Sequence, residues 1–264
     1  MRRFISDLKK YWNYISYSTK AELKTEVIDS YLGWLWIILE PFCFMLIYAF
    51  IASVVFKAKG EYFPVFIFIG LTIWNFFNKT LLSSVKLVSG NRDIVTKVYV
   101  PKFVLLLIKV GVNTFKMFIS FIMVAVFMIY YQIPLTWNAL WIIPIILTTI
   151  VLTFGISCLV MHFGVFIDDL SNIVNIFLRL VFYATGIFYD IGKSLNHKVY
   201  AQILLNGNPL ANLIFNLRQV LIYQSKLPPE GIYIGVWFFV GILLSIIGIK
   251  TIYKYENTYV KVMK

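Results

Sequence analysis

The sequence predicts an all-α integral membrane protein: six transmembrane helices, an N-terminal amphipathic interface helix, and an outside re-entrant helical segment before the last span. Three observations predict it. The 264 residues are 60% hydrophobic and only 14% charged, against roughly 45–50% and about 25% in soluble globular domains. Apolar runs of the ~20 residues needed to cross a hydrocarbon core recur along the chain. The 24 Lys+Arg, set against 12 Asp+Glu for a net charge of +12, fall mainly between those runs. The same composition excludes a disordered chain, a coiled coil and a nucleic-acid-binding domain.

In residues 1–32, Ile5, Leu8, Trp12, Ile15 and Leu23 recur near helical spacing among Lys9, Lys10, Lys20, Glu22, Lys24 and Glu26. That pattern is an amphipathic helix, lying along the membrane surface or packed on a partner. No uninterrupted apolar core follows Arg2 and Arg3, so this segment is not read as a signal peptide. Residues 33–264 form one membrane domain without an internal repeat, with spans near 33–56, 63–85, 103–131, 140–166, 173–190 and 232–252. Asn75, Asn78 and Lys79 interrupt the end of the second span. Before the last span, residues 210–223 (LANLIFNLRQVLIY) are apolar but too short to cross, and they follow Asn208-Pro209. An apolar segment of that length behind a helix-starting proline reads as re-entrant or interfacial.

Basic residues in short loops set orientation. With the N-terminus inside, segments 1–32, 86–102, 167–172 and 253–264 hold 13 Lys and Arg, while the outside segments 57–62, 132–139 and 191–231 hold 6, Arg218 among them. Both termini are therefore expected inside, and much of the positive charge is topological, with no nucleic acid required.

Enzyme chemistry finds few residues to work with. Residues 186–194 (GIFYDIGKS) end like a phosphate-binding loop, but five residues separate Gly186 from Gly192 where the motif needs four. Asp168-Asp169 is the only adjacent acidic pair, and no second acidic or histidine cluster accompanies it. Cys43 and Cys158 lie in apolar runs, and His162 and His197 are the only histidines, so neither a disulfide framework nor a zinc centre is expected.

Charges inside the spans carry more information, because a charge at mid-membrane costs at least ~2.5–3.5 kcal/mol on insertion scales. Glu40 precedes Pro41 in the first span, and Arg179 lies in the fifth. Lys109, Asn113, Lys116 and Ser120 share one face of the third, with Lys116 about 20 Å beyond Lys102. Such groups either pair structurally, Glu40 with Arg179 or with a lysine, or give a basic lining to an anionic passenger. Phe177, Phe182, Tyr183, Phe188 and Tyr189 crowd the outer end of the fifth span. They suit lipid contact, and aromatic faces also stack on sugar rings.

Several stretches taken in order resemble a known family. Residues 31–41 (YLGWLWIILEP), 70–77 (GLTIWNFF), 91–102 (NRDIVTKVYVPK), 208–222 (NPLANLIFNLRQVLI) and 255–263 (YENTYVKVM) are similar to the ABC-2 type transport permease, in its polysaccharide and teichoic acid export branch. The resemblance implies a permease half-transporter without its own nucleotide site or cofactor, working as a homodimer. Two separate cytoplasmic ATPase subunits, using ATP and Mg, would drive it. Its passenger would be an anionic lipid-linked polymer, a teichoic acid or O-antigen-type polysaccharide, crossing the cytoplasmic membrane of a bacterium. Arg92, Asp93, Lys97 and Lys102 would be exposed coupling contacts, with Asp168 and Asp169 a second coupling point. Glu40, Lys109, Asn113, Lys116, Phe177, Arg179, Phe182 and Tyr183 would line the path. Two positions depart from the family pattern: Glu40 stands where glutamine is common, and Phe166-Ile167-Asp168-Asp169 lacks the arginine that commonly precedes the acidic residue.

Overall fold

Within a hydrocarbon core each backbone N–H and C=O must be satisfied inside its own segment, and helices meet that demand. In a computed structural model, which describes residues 2–28, 33, 35–54, 62–194 and 198–262, the described chain is helical and contains no strand. The elements are α1 (Arg2–Ile28), α2 (Leu35–Val54), α3 (Phe63–Val85), α4 (Leu87–Gly90), α5 (Arg92–Lys97), α6 (Lys102–Tyr130), a 3-10 turn (Trp137–Trp141), α7 (Ile142–Phe166), α8 (Leu170–Ala184), α9 (Ile191–Ser194), α10 (Lys198–Gly207), α11 (Pro209–Leu221) and α12 (Gly231–Val262).

Among the described residues, four helical segments are long and apolar enough to cross a membrane: α3, α6, the 3-10 turn continued by α7, and α12. The spans expected at 33–56 and 173–190 correspond to shorter apolar helices. α2 carries Pro41 in its interior, where the ring removes a backbone donor and favours a kink. α8 has 15 residues and rises only ~22 Å. Four spans therefore stand by length and composition, with α2 and α8 beside them.

α3 is the centre of the bundle. Val65, Ile67, Phe68, Ile69 and Ile73 are fully enclosed, with α2, α6, α7, α8 and α11 packed around them. It is buried on every side except the flank that carries Asn75, Asn78, Lys79 and Leu82. The most extensive helix pair is α7 with α12. A Cβ on Gly155 would come within 2.8 Å of the Ser245 backbone N and 2.9 Å of the Gly241 carbonyl. Small residues let these backbones touch, a familiar way to gain packing where water supplies no driving force.

The loops gather at two ends. At one, Arg3 Nη2 donates to Glu256 Oε1 at 2.8 Å and to the Tyr99 hydroxyl at 2.6 Å, so the start of α1, the segment after α5 and the end of α12 meet. This is the proximal end. At the distal end, Asn138 Nδ2 donates to the Gln224 carbonyl at 3.2 Å, and Tyr62 meets Tyr131 edge to face. The grouping is the one expected for alternating spans, with the starts of α1 and α6 beside the end of α12. α12 runs unbroken to Val262, so the charged C-terminal stretch extends the last helix.

The apolar segment before the last span is α11. Asn208 caps it, its Oδ1 accepting from Leu210 N at 3.1 Å and Ala211 N at 3.4 Å, with Pro209 in the first turn. The short α9 and then α10 precede it, so among the described residues the distal connection contains three helices, with α10 packed on both others.

Arg218, in the connection 191–231 expected outside, is buried in α11, and its acceptors, described below, are backbone carbonyls. One expectation is corrected here. Lys102 was expected as an exposed coupling contact, but it is only 3% exposed. It opens α6 on the packed face, and its ammonium lies 5.7 Å from the centre of the Tyr99 ring.

A candidate passenger groove

The polar residues interrupting α3 are spaced for one face. Asn75, Asn78 and Lys79 stand three and four residues apart, with Trp74 beside them, so they stack along the helix flank. α2 and α8 pack on that flank and leave a groove of about 530 Å³. Asn78, Lys79, Asn175 and Arg179 supply its polar lining, and Tyr48, Trp74, Phe182 and Tyr183 its aromatic lining.

The rings form a connected wall. Tyr48 lies 4.7 Å from Phe188 between centroids, Phe182 lies 5.2 Å from Phe188, and Trp74 lies 5.1 Å from Phe182. These separations and their tilted orientations suit aromatic packing. Lys79 sits ~9 Å from the proximal end of α3, and Trp74 one and a half turns farther out. The charged part of the groove is therefore proximal and its aromatic part distal.

Lys79 Nζ is 2.7 Å from both carboxylate oxygens of Glu40. Both side chains remain partly open, at 40% and 45% of their surface. Arg179 is exposed along the same groove and forms no ion pair among the described residues.

A second cavity of about 140 Å³ lies on the other side of the Glu40–Lys79 pair, between α1, α2, α3 and α6. Asn113, Lys116 and Ser120 line it. Lys116 pairs there with Glu26 of α1, and Asn113 Nδ2 donates to Thr80 Oγ1 at 3.0 Å. Lys109 borders neither cavity and pairs with Glu22. Lysines on α6 are thus matched by acids one turn apart on α1.

These contacts place α1 along α6. Phe4 meets Phe103 and Glu26 meets Lys116, so the contact advances ~20 Å along α6 over ~33 Å of α1. An apolar trough of about 920 Å³ remains between them, walled by Leu8, Trp12 and Ile15 on one side and Leu107, Val110 and Phe115 on the other.

Of the residues expected on the path, Glu40, Arg179, Phe182 and Tyr183 come together in the groove, while Asn113 and Lys116 line the neighbouring cavity. Phe177 is exposed on a face of α8 away from both. The sequence reading missed Tyr48, Trp74, Lys79 and Asn175 as groove residues. The three-and-four spacing of Asn75, Asn78 and Lys79 was the available signal.

At the proximal end Arg92, Asp93 and Lys97 are exposed on α5. Asp168 and Asp169 are exposed at the α7–α8 turn, where Asp169 starts α8 without a side-chain cap. The Tyr99 hydroxyl reaches Glu256 at 3.3 Å. Burial, with the Glu256 carboxylate close by, raises its pKa above the usual phenol range.

Comparison with known proteins gives a consistent picture. A family model described as ABC-2 type transporter matches residues 14–222. The O-antigen export system permease protein RfbA of Klebsiella pneumoniae is 28% identical over 246 residues, covering 93% of this chain and 93% of that protein. The protein of the same name from Myxococcus xanthus is 29% identical over 229 residues, covering 86% and 87% respectively.

Proposed function

The chain belongs to the ABC-2 type transporter family, and from that premise we propose that it is the permease subunit of an ATP-driven exporter of a lipid-linked cell-surface polysaccharide. The observation that carries the reading is near full-length similarity to permeases of O-antigen export. The groove is chemically suited to the task, since aromatic faces accommodate sugar rings and amides hydrogen-bond hydroxyls. An O-antigen-type polymer or a teichoic acid would satisfy the same lining.

The protein is a multi-pass bacterial membrane protein, and in this reading its proximal end faces the cytoplasm. Two copies form the path, their exposed α2 and α8 faces turned towards each other. Two separate ATPase subunits bind the ATP and Mg, and this chain holds no cofactor. Arg92, Asp93 and Lys97 on α5 meet the ATPase, with Asp168 and Asp169 nearby. The trough between α1 and α6 matches the hydrocarbon chain of a lipid carrier.

Depletion of the chain in its native host tests the reading. A lipid-linked glycan should accumulate on the cytoplasmic side while the matching surface polymer disappears. A surface glycan profile unchanged by depletion overturns it.

A further inference from the structure

The Glu40–Lys79 pair occupies an unusual place. Both residues line the large groove and both line the smaller cavity, so the pair is the partition between the two. Its side chains are about 40–45% exposed, too open for a purely structural buried pair, where desolvation demands close packing and extra hydrogen bonds. Neither residue has another ion-pair partner among the described residues. The second cavity-lining lysine, Lys116, is held by Glu26 from a different helix, so Glu40 is not shared. Arg179 lies along the same groove and forms no ion pair among the described residues.

The geometry points to an oxyanion subsite formed by Lys79 and Arg179, in which Glu40 is an exchangeable internal counter-ion. The inference rests on the export reading and narrows its passenger to one bearing phosphate-type groups. When no passenger is present, Glu40 neutralises Lys79 and keeps an unpaired ammonium out of the membrane interior. An arriving phosphate or pyrophosphate oxygen displaces the carboxylate and takes both cations. Glu40 then makes binding selective, because a neutral sugar cannot replace a carboxylate at an ammonium. The competition weakens every oxyanion equally, by the fraction of time the pair is closed, and so prevents a polyanion from lodging. The charged region is proximal to the aromatic wall, so a passenger entering from the proximal end meets the charge test before the rings.

Isothermal titration of the reconstituted permease–ATPase complex tests this with three probes: a polyprenyl pyrophosphate, a short polyglycerol phosphate and a neutral maltooligosaccharide. Glu40→Gln should tighten oxyanion binding by about fivefold, the scale of losing one partly exposed competing ion pair. Lys79→Gln should weaken it by at least that factor, and neither change should alter binding of the neutral probe. Because Lys79→Gln strands a carboxylate and can impair folding, the Glu40→Gln, Lys79→Gln double variant provides the same loss without a stranded charge. A response to the polyprenyl pyrophosphate alone assigns the subsite to the carrier headgroup. A response to polyglycerol phosphate alone assigns it to the polymer. Unchanged oxyanion affinity in Glu40→Gln, or equal shifts for the neutral probe, overturns the subsite while leaving export intact. A wild-type complex that binds none of the three overturns the export reading itself.

Discussion

Arg218 and Arg179 show two ways in which this protein holds a cation among apolar helices. Arg218 lies under α11, where Nε donates to the Phe66 carbonyl at 3.0 Å, and Nη1 and Nη2 donate to the Gly186 and Ile187 carbonyls at 2.7 and 2.9 Å. Its guanidinium also stacks 3.5 Å from the centre of the Phe66 ring. Three backbone acceptors and a ring leave it fixed. Arg179 stands in the groove with its side chain open. The difference separates a cation that ties α11 to α3 and the turn after α8 from one available to something passing by. Charge inside a membrane domain marks function chiefly where its partners are incomplete.

Changes at these positions sharpen or break that comparison. The largest effect is expected for Arg218→Met, which fills the space but removes three buried hydrogen bonds, to the turn carbonyls of Gly186 and Ile187 and to the Phe66 carbonyl, which keeps its bond within α3. At about 1 kcal/mol each, roughly 3 kcal/mol of stability should be lost. Thermal unfolding in detergent should show a clear fall in Tm; an unchanged Tm would mean the carbonyls find other donors. A smaller fall, about 1–2 kcal/mol, is expected for Gly70→Ala. The added Cβ would stand 2.6 Å from Arg218 Nη2 and must push the guanidinium off its acceptors. Smallest in stability is Arg179→Gln, expected within about 0.5 kcal/mol of the parent as a surface-like change. Surface polymer delivered per unit of permease should nevertheless fall severalfold. A lowered Tm with normal delivery would place Arg179 in the same structural class as Arg218.

Much of the architecture was legible in the sequence because membrane thickness converts hydropathy into length. α3, α6 and α7 fall within two residues of the expected spans, α12 starts within one residue of its span and runs ten residues past its end, and Asn208-Pro209 marked the start of α11. What periodicity could not supply was the partner across helices. The stripe on α6 was visible, but α2, α3, α4 and α5 separate Glu22 and Glu26 from Lys109 and Lys116 along the chain. Nothing in their spacing indicates that α1 climbs along α6. Lys79 was visible only as a blemish in an apolar run, because a single helix does not reveal which neighbour faces it. The burial of Arg218 was hidden for a related reason: spacing places a basic residue in a connection but does not show which carbonyls it meets. Lys102 is the same case at the proximal end.

The contacts at the proximal end also impose an order on biogenesis. Arg3 and Asp7 belong to α1, made before the helices it packs against, yet Arg3 binds Glu256 and Asp7 accepts from the Tyr253 hydroxyl at 2.7 Å. Those partners emerge some 250 residues later. At about 5–20 residues per second, α1 waits roughly 12–50 s before its base can lock. During that interval its seat on α6 has already been made, so Glu22 and Glu26 can dock first and the start of the helix last. The final turns of α12 therefore close the last contacts: a chain truncated before Tyr253 would keep α1 seated on α6 through Glu22 and Glu26 yet leave the base of that helix unfastened.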